Sequence, residues 1–276
     1  MRLTCIVDDA VQRSSPFWGE HGIAFLIEAE GKRVLFDTGQ SGTVLLRNLK
    51  LLDVDPATID ALAISHAHYD HTGGLADLLK HLRPGAPLYA HPDLFRERFS
   101  RREGKTEAAG FSMAQEELAE QVKLELSSAP QEIVSGVWTT GGISERPEQD
   151  GSSDYHLMRD GDELVPDVYR DDMALALQTA DYLVLLCGCC HAGLLNTLAH
   201  VECLCERPIA VIAGGLHLTS ATDDDLRHIG DVLSAMPALQ RVYPNHCSGE
   251  AAFVALTQIL GPSVVRPCPA GTVLEF

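Results

Sequence analysis

Cations are scarce in this chain, and the scarcity excludes a class of partner. Lys and Arg number 21 against 39 Asp and Glu, a formal charge of −18 at pH 7. A phosphate backbone needs a basic face, so nucleic acid is not an expected partner. Long apolar runs are missing too. Nothing approaches the roughly 20 apolar residues of a membrane-crossing helix, and no membrane partner is expected. The opening MRLTCIVDDA carries aspartates where a secretion signal needs an apolar stretch, so a cytoplasmic location is expected. The eight cysteines lack the paired Cys-x-x-Cys spacing of a structural zinc site. A chain of 276 residues has core enough without disulfides, so they read as thiols. No Gly-x-Ser-x-Gly marks a serine nucleophile. Acidity does not exclude a small anionic substrate, because bound divalent cations reverse the local sign.

Histidine is present, and in a pattern. The stretch SHAHYDHTGGL (65–75) packs His66, His68, Asp70 and His71 into six positions. Such groups are costly to bury without partners, and on a surface they have no structural purpose. Apolar patterning predicts a hairpin over 23–37 and strands at 60–65, 87–90, 182–188, 208–214 and 241–243. Helices are predicted at 43–52, 75–82, 192–205, 221–236 and 249–260. Residues 92–126 are charged and read as helical, with Arg96, Arg98, Arg101 and Arg102 close together. Residues 144–172 are polar and rich in turn residues, which predicts a long active-site loop or an irregular hairpin. The expected organisation is one domain over 1–276 with a helical or loop insertion at about 92–172.

Four of the strands run straight into histidine. The strand at 60–65 leads to His66, His68 and His71, and those at 182–188, 208–214 and 241–243 lead to His191, His217 and His246. The carboxyl ends of strands are where open α/β sheets place ligands. Imidazoles with one carboxylate suit zinc, with manganese or iron as alternatives. If the turn is roughly extended, His66 and His68 point one way toward one ion, and Asp70 and His71 face a second. His191 and His246 can complete the sets, and Gly73 and Gly74 let the backbone turn into the next helix. Two neighbouring ions would share a bridging water, lowered toward neutral pKa and ready to attack. Asp37 either steadies its own Asp-Thr-Gly turn or orients a ligand imidazole. His91 follows a strand and is a candidate to line the pocket. Asp171 and Asp172 are turn residues or lie near the site. The cysteines beside these ligands, Cys189, Cys190 and Cys247, read as bystanders whose oxidation could disturb the metals.

HAHYDH resembles the His-x-His-x-Asp-His signature of the metallo-β-lactamase superfamily, and LFDTG (35–39) resembles its first motif. EHGIAFLIE, the Asp171–Asp172 pair, GCCHAGLLN, AGGLHL and NHCSG are similar to a narrower group. That group is named after an archaeal dihydropterin–ribofuranosylaminobenzene-phosphate synthase. The resemblance implies an α/β architecture, a four-layer αβ/βα sandwich of two mixed sheets flanked by helices. It implies two divalent ions, one on His66, His68 and His191 and the other on Asp70, His71 and His246. The chain departs from the common pattern at AGGLH, where many members carry a bridging aspartate and no carboxylate follows here before Asp223. His217 therefore either enters the second site or faces the substrate as a proton donor or phosphate contact, the latter being preferred. The expected function is binuclear hydrolysis of a small anionic ester, most plausibly a phosphate ester or phosphodiester, with Asp70 and His217 as catalytic residues. The alternative is a transferase that joins a pterin to an aminobenzene ribotide with loss of pyrophosphate. Redox iron is less favoured, because members of that kind place a glutamate where His68 stands. The sequence leaves the oligomeric state open.

Overall fold

The computed structural model describes all 276 residues. Two mixed sheets form its centre. One runs, edge to edge, through Val273–Glu275, Arg2–Val7, Ala24–Ala29, Lys32–Phe36, Ala61–Ala63, Pro87–Ala90 and Lys123–Leu126. The other runs through Arg241–Asn245, Ile209–Gly215, Leu183–Cys187, Leu175–Gln178, Val137–Thr139 and Gln131–Val134. In each sheet one half is antiparallel and the other parallel. The parallel half holds the strands that end in the histidine motifs.

Three apolar layers hold the sheets and helices together. Between the sheets, Phe25, Phe36, Val184, Leu186 and Ala213 pack into one core. On the outer face of the first sheet, Leu26, Leu35 and Leu62 pack against helices Gly42–Leu51 and Leu75–Leu79. On the outer face of the second, Leu185 and Ile212 meet helices Leu194–Leu204, Asp223–Ala235 and Glu250–Leu260. Strands with apolar residues on both faces need cover on both faces, which gives helix, sheet, sheet and helix layers in that order. Truncating a fully buried ring such as Phe36 to alanine would cost about 3–5 kcal/mol. No helix is long and apolar enough to cross a membrane.

Residues 92–126 hold one short helix, Gln115–Ala119, and three strands, where a helical segment was expected. Arg98–Arg102 and Lys105–Ala108 form a hairpin whose turn residues Glu103 and Gly104 both have positive φ. Two consecutive positive φ values suit a two-residue hairpin turn, and the Gly is the sequence signal for it. This hairpin pairs with a second, His156–Asp160 and Glu163–Pro166, in a small separate sheet. The supposed insertion also supplies the strands Lys123–Leu126, Gln131–Val134 and Val137–Thr139 to the two main sheets.

Candidate metal centre

The strand Ala61–Ala63 ends just before the histidine motif. The backbone stays extended through His68, at φ −61° and ψ 146°, and then makes one helical turn over Tyr69–Thr72. That change of conformation, rather than a continuous extended run, brings His71 beside the first pair, its ring 4.1 Å from that of His66. Gly73 and Gly74 have ordinary helical backbone, with φ of −66° and −76°. Their use is space, not conformational freedom. A Cβ on either would lie 2.2 Å from a carbonyl oxygen of Gln40 or Thr38.

One cluster gathers His66, His68 and His191. Their ring centroids are 4.6, 4.8 and 4.9 Å apart, and His66 Nε2 faces His68 Nδ1 at 3.0 Å. The Nε2 atoms of His68 and His191 are buried without a partner. Burial, followed by the neighbouring imidazoles, pushes the pKa of all three rings well below the ordinary histidine value. They are neutral at pH 7, with a lone pair on the unprotonated nitrogen. The loops are tied down from below. Asp171 accepts from the Ala67 N–H at 2.8 Å, and Asp172 accepts from the Ala192 N–H at 2.7 Å. Adjacent residues point opposite ways, so this pair holds two separate histidine loops.

The second cluster gathers Asp70, His71 and His246. Asp70 Oδ2 lies 3.6 Å from His71 Nε2 and 3.3 Å from His246 Nε2. His246 Nε2 nonetheless makes no hydrogen bond. Donor atoms that share a tetrahedral ion at about 2.0–2.1 Å lie about 3.3 Å from one another, so the spacing fits shared coordination. Carboxylates fix the far sides of these rings. Asp37 Oδ2 contacts His71 Nδ1 at 2.7 Å, while both Asp37 oxygens accept from Ser65 at 2.7 Å. Asp9 contacts His246 Nδ1 at 2.9 Å, and Asp8 accepts from the His246 N–H at 2.8 Å. Burial opposes ionisation of Asp70, but the charges of His71 and His246 outweigh it and hold the carboxyl well below its usual range. Gly188 keeps the two loops close, since a Cβ there would stand 2.2 Å from Ser65 Oγ.

Other sequence candidates fall in different places. His217 packs against His191 at 4.2 Å between ring centroids, with its Nδ1 buried and unpartnered. His91 is not brought to the clusters. It accepts from the Asp93 N–H at 3.1 Å, capping the short turn Pro92–Phe95, and lines a neighbouring cavity with Gly142, Arg146 and Asp150. The four arginines form no common patch. Arg98 is buried between Asp167 and Asp171 at 2.8 and 2.6 Å, Arg96 faces Asp93, and Arg101 bonds Thr106. Arg102 stacks over Tyr155 at 4.2 Å, and Tyr155 packs edge-on against His156.

Several neighbours of the clusters escaped sequence reasoning. His156 stands 4.6 Å from the His68 ring and contacts Tyr169 Oη at 2.8 Å. Burial and then the His217 charge push its pKa down to about 4. Tyr169 stacks flat on His191, 4.1 Å apart with 2° between ring planes. His21 lies 3.3 Å from Asp70 Oδ2 and 3.1 Å from Asp9. One signal was available for Asp8 and Asp9. LTCIV followed by two aspartates is a strand delivering carboxylates at its end, as LFD does at Asp37. His156 and Tyr169 lie in a polar stretch without a periodic signal.

The sequence pattern of the metallo-beta-lactamase superfamily matches residues 19–161. A 7,8-dihydropterin-6-methyl-4-(beta-D-ribofuranosyl)-aminobenzene-5'-phosphate synthase from Methanocaldococcus jannaschii is 29% identical over 262 residues, covering 90% of this chain and 88% of that protein. A crystal structure of a metal-dependent hydrolase of the beta-lactamase superfamily superposes with a TM-score of 0.85 at 27% identity, covering 100% of this chain and 99% of that one. The metallo-beta-lactamase fold protein YhfI from Bacillus subtilis shares the fold, with a TM-score of 0.61 at 13% identity, over 100% of this chain and 98% of its own.

Proposed function

The chain belongs to the metallo-β-lactamase superfamily, and on that footing we propose that it is a binuclear divalent-metal hydrolase of a small anionic ester, most readily a phosphate ester or phosphodiester. One observation carries the reading. Six donor side chains converge at one sheet edge, and the Nε2 atoms of His68, His191 and His246 are buried there without partners. Buried polar atoms are nearly always paired, so orphaned imidazole nitrogens among these six side chains support a cation site. His66, His68 and His191 would hold one ion, and Asp70, His71 and His246 the other. Zinc suits this donor set, and manganese or iron would also fit. When bound, such ions lower the pKa of water toward neutral and offset the charge of a phosphate.

The chain's own groups do the rest. Asp37 and Asp9 orient His71 and His246, and Asp171 and Asp172 hold the two loops of the first cluster in register. His217, packed on His191, also lines a small cavity with Asp150, Gly151, Leu194 and Leu216. From there it can deliver a proton to a leaving oxygen or contact a phosphate. Arg102 reaches the surroundings of the first cluster through Tyr155 and His156. Partners other than a small anionic molecule, nucleic acid and membranes included, are not part of this proposal.

A second reading has its own support. The synthase relative aligns over 90% of this chain, which favours a transferase that releases pyrophosphate. The same ions would then face a leaving group. Protein loaded with Zn, Mn or Fe, offered a panel of phosphodiester, thioester, lactone and pterin-pyrophosphate, the last with and without an aminobenzene ribotide, in ¹⁸O-labelled water, separates the two. Hydrolysis puts solvent oxygen in the product without a trapped covalent enzyme. Condensation of two substrates without solvent oxygen would establish the transferase instead.

A further inference from the structure

The two clusters share a neighbour that neither set includes. Cys189 Sγ, His66 and His191 bring their donor atoms within 4.8 Å of one another, and so do Cys189 Sγ, His71 and His246. Cys189 is the residue common to both groups, and its sulfur lies 3.2 Å from His71 Nε2. It is buried, with 3% of its surface exposed.

The backbone explains how a cysteine reaches that point. The strand Ile209–Gly215 ends in two glycines where a side chain would not fit. A Cβ on Gly214 would lie 2.0 Å from the Cys187 carbonyl, and one on Gly215 would lie 2.3 Å from the Gly188 carbonyl. The loop that follows Leu183–Cys187 therefore presses onto this strand end, and the next residue, Cys189, projects between the clusters. No carboxylate occupies the space. Resting on the metal-centre reading above, the geometry points to Cys189 as the ligand that bridges the two ions.

The chemistry suits the position. The first cluster supplies three neutral imidazoles and the second one carboxylate, so two divalent ions would retain a large positive charge in a buried site. A thiolate adds one negative charge and a soft donor that zinc accepts. Binding releases the thiol proton to solvent as the sulfur–metal bonds form. Cys247, with Sγ 3.3 Å from that of Cys189, belongs with His217 and Cys189 but with none of the six proposed ligands. It is the control.

Cobalt titration of the full chain tests this directly. Wild type is expected to bind two cobalt ions and to show an intense near-ultraviolet thiolate-to-cobalt band. Cys189→Ser should abolish the band and weaken the second ion by no less than the roughly 10–100-fold that loss of an outer partner costs. Cys247→Ser should keep both. A band that survives in Cys189→Ser, or disappears in Cys247→Ser, overturns the assignment. Cadmium NMR on wild type needs no variant to fold: two resonances displaced into the thiolate range are expected, and one or none displaced overturns the bridge. Two cobalt ions bound without any thiolate signature would sink this inference alone, whereas no bound metal would sink the metal-centre reading with it.

Discussion

The two histidine clusters meet at one edge but are held in different ways. His66, His68 and His191 are packed among other rings, His156, Tyr169 and His217, and their loops are fixed through backbone N–H groups by Asp171 and Asp172. Asp70, His71 and His246 are fixed by carboxylates that touch the imidazoles themselves, Asp37 on one and Asp9 on the other. The first arrangement keeps its imidazoles neutral by burial. The second holds its imidazoles by direct hydrogen bonds, and one of its supports, Asp9, is exposed. A neutral cluster and one that includes a carboxylate and leans on the exposed Asp9 should hold their proposed ions with unequal affinity.

The strongest way to break the comparison is to remove a ligand from the buried cluster. His66→Ala or His191→Ala is expected to lose that ion and to lower turnover by about 10³-fold or more, equivalent to roughly 4 kcal/mol. Metal analysis alongside rates would check it, and retention of two tight ions would refute the ligand assignment. His217→Ala should lower turnover by about 100-fold with both ions still bound. An emptied site in that variant would make His217 a ligand instead.

The supports sharpen the contrast. Asp37→Ala removes a buried carboxylate and should weaken the second ion by about 10–100-fold, whereas Asp9→Ala, at the exposed support, should stay at the low end of that range. Competition with a chelator measures both, and equal losses would contradict the difference in burial. Acid should act on the first cluster. In metal-stripped protein His66, His68 and His191 are neutral when folded, with pKa values well below 6.5, but take up protons near 6.5 when unfolded. Their contribution is complete above about pH 6.5 and drains away as pH falls, by up to about 1.4 kcal/mol per unit for each ring. Denaturant midpoints at pH 7, 6 and 5 should fall in that order, and a flat profile would argue against neutral buried rings. The smallest expected effect belongs to the surroundings of the first cluster. Arg102→Ala should raise KM for an anionic ester only a few-fold, in a salt-dependent way, because the side chain is exposed and screened.

Much of this centre was legible in one dimension. Short apolar strands that end in histidine can be read from the sequence, because burial on both faces forces the apolar run and a polar side chain can appear only where the strand stops. The hairpin at Glu103–Gly104 was legible too, in its glycine, but charge spacing was mistaken for a helix face. His21, His156 and Tyr169 could not be found in this way. They reach the clusters from turns and from a small separate sheet, with no periodic pattern of their own.

The sequence by itself determined the element order at the histidine-rich edge and the residue types that strand ends deliver there, since both follow from local patterning. Only the tertiary structure decided which donors share a cluster, which carboxylate stands behind which ring, and that Cys189 lies between the two groups. Those relations depend on how two sheets stack and how closely glycine backbones approach. Distances of 3 Å between residues more than a hundred positions apart are set by packing, and no local pattern in the chain encodes them.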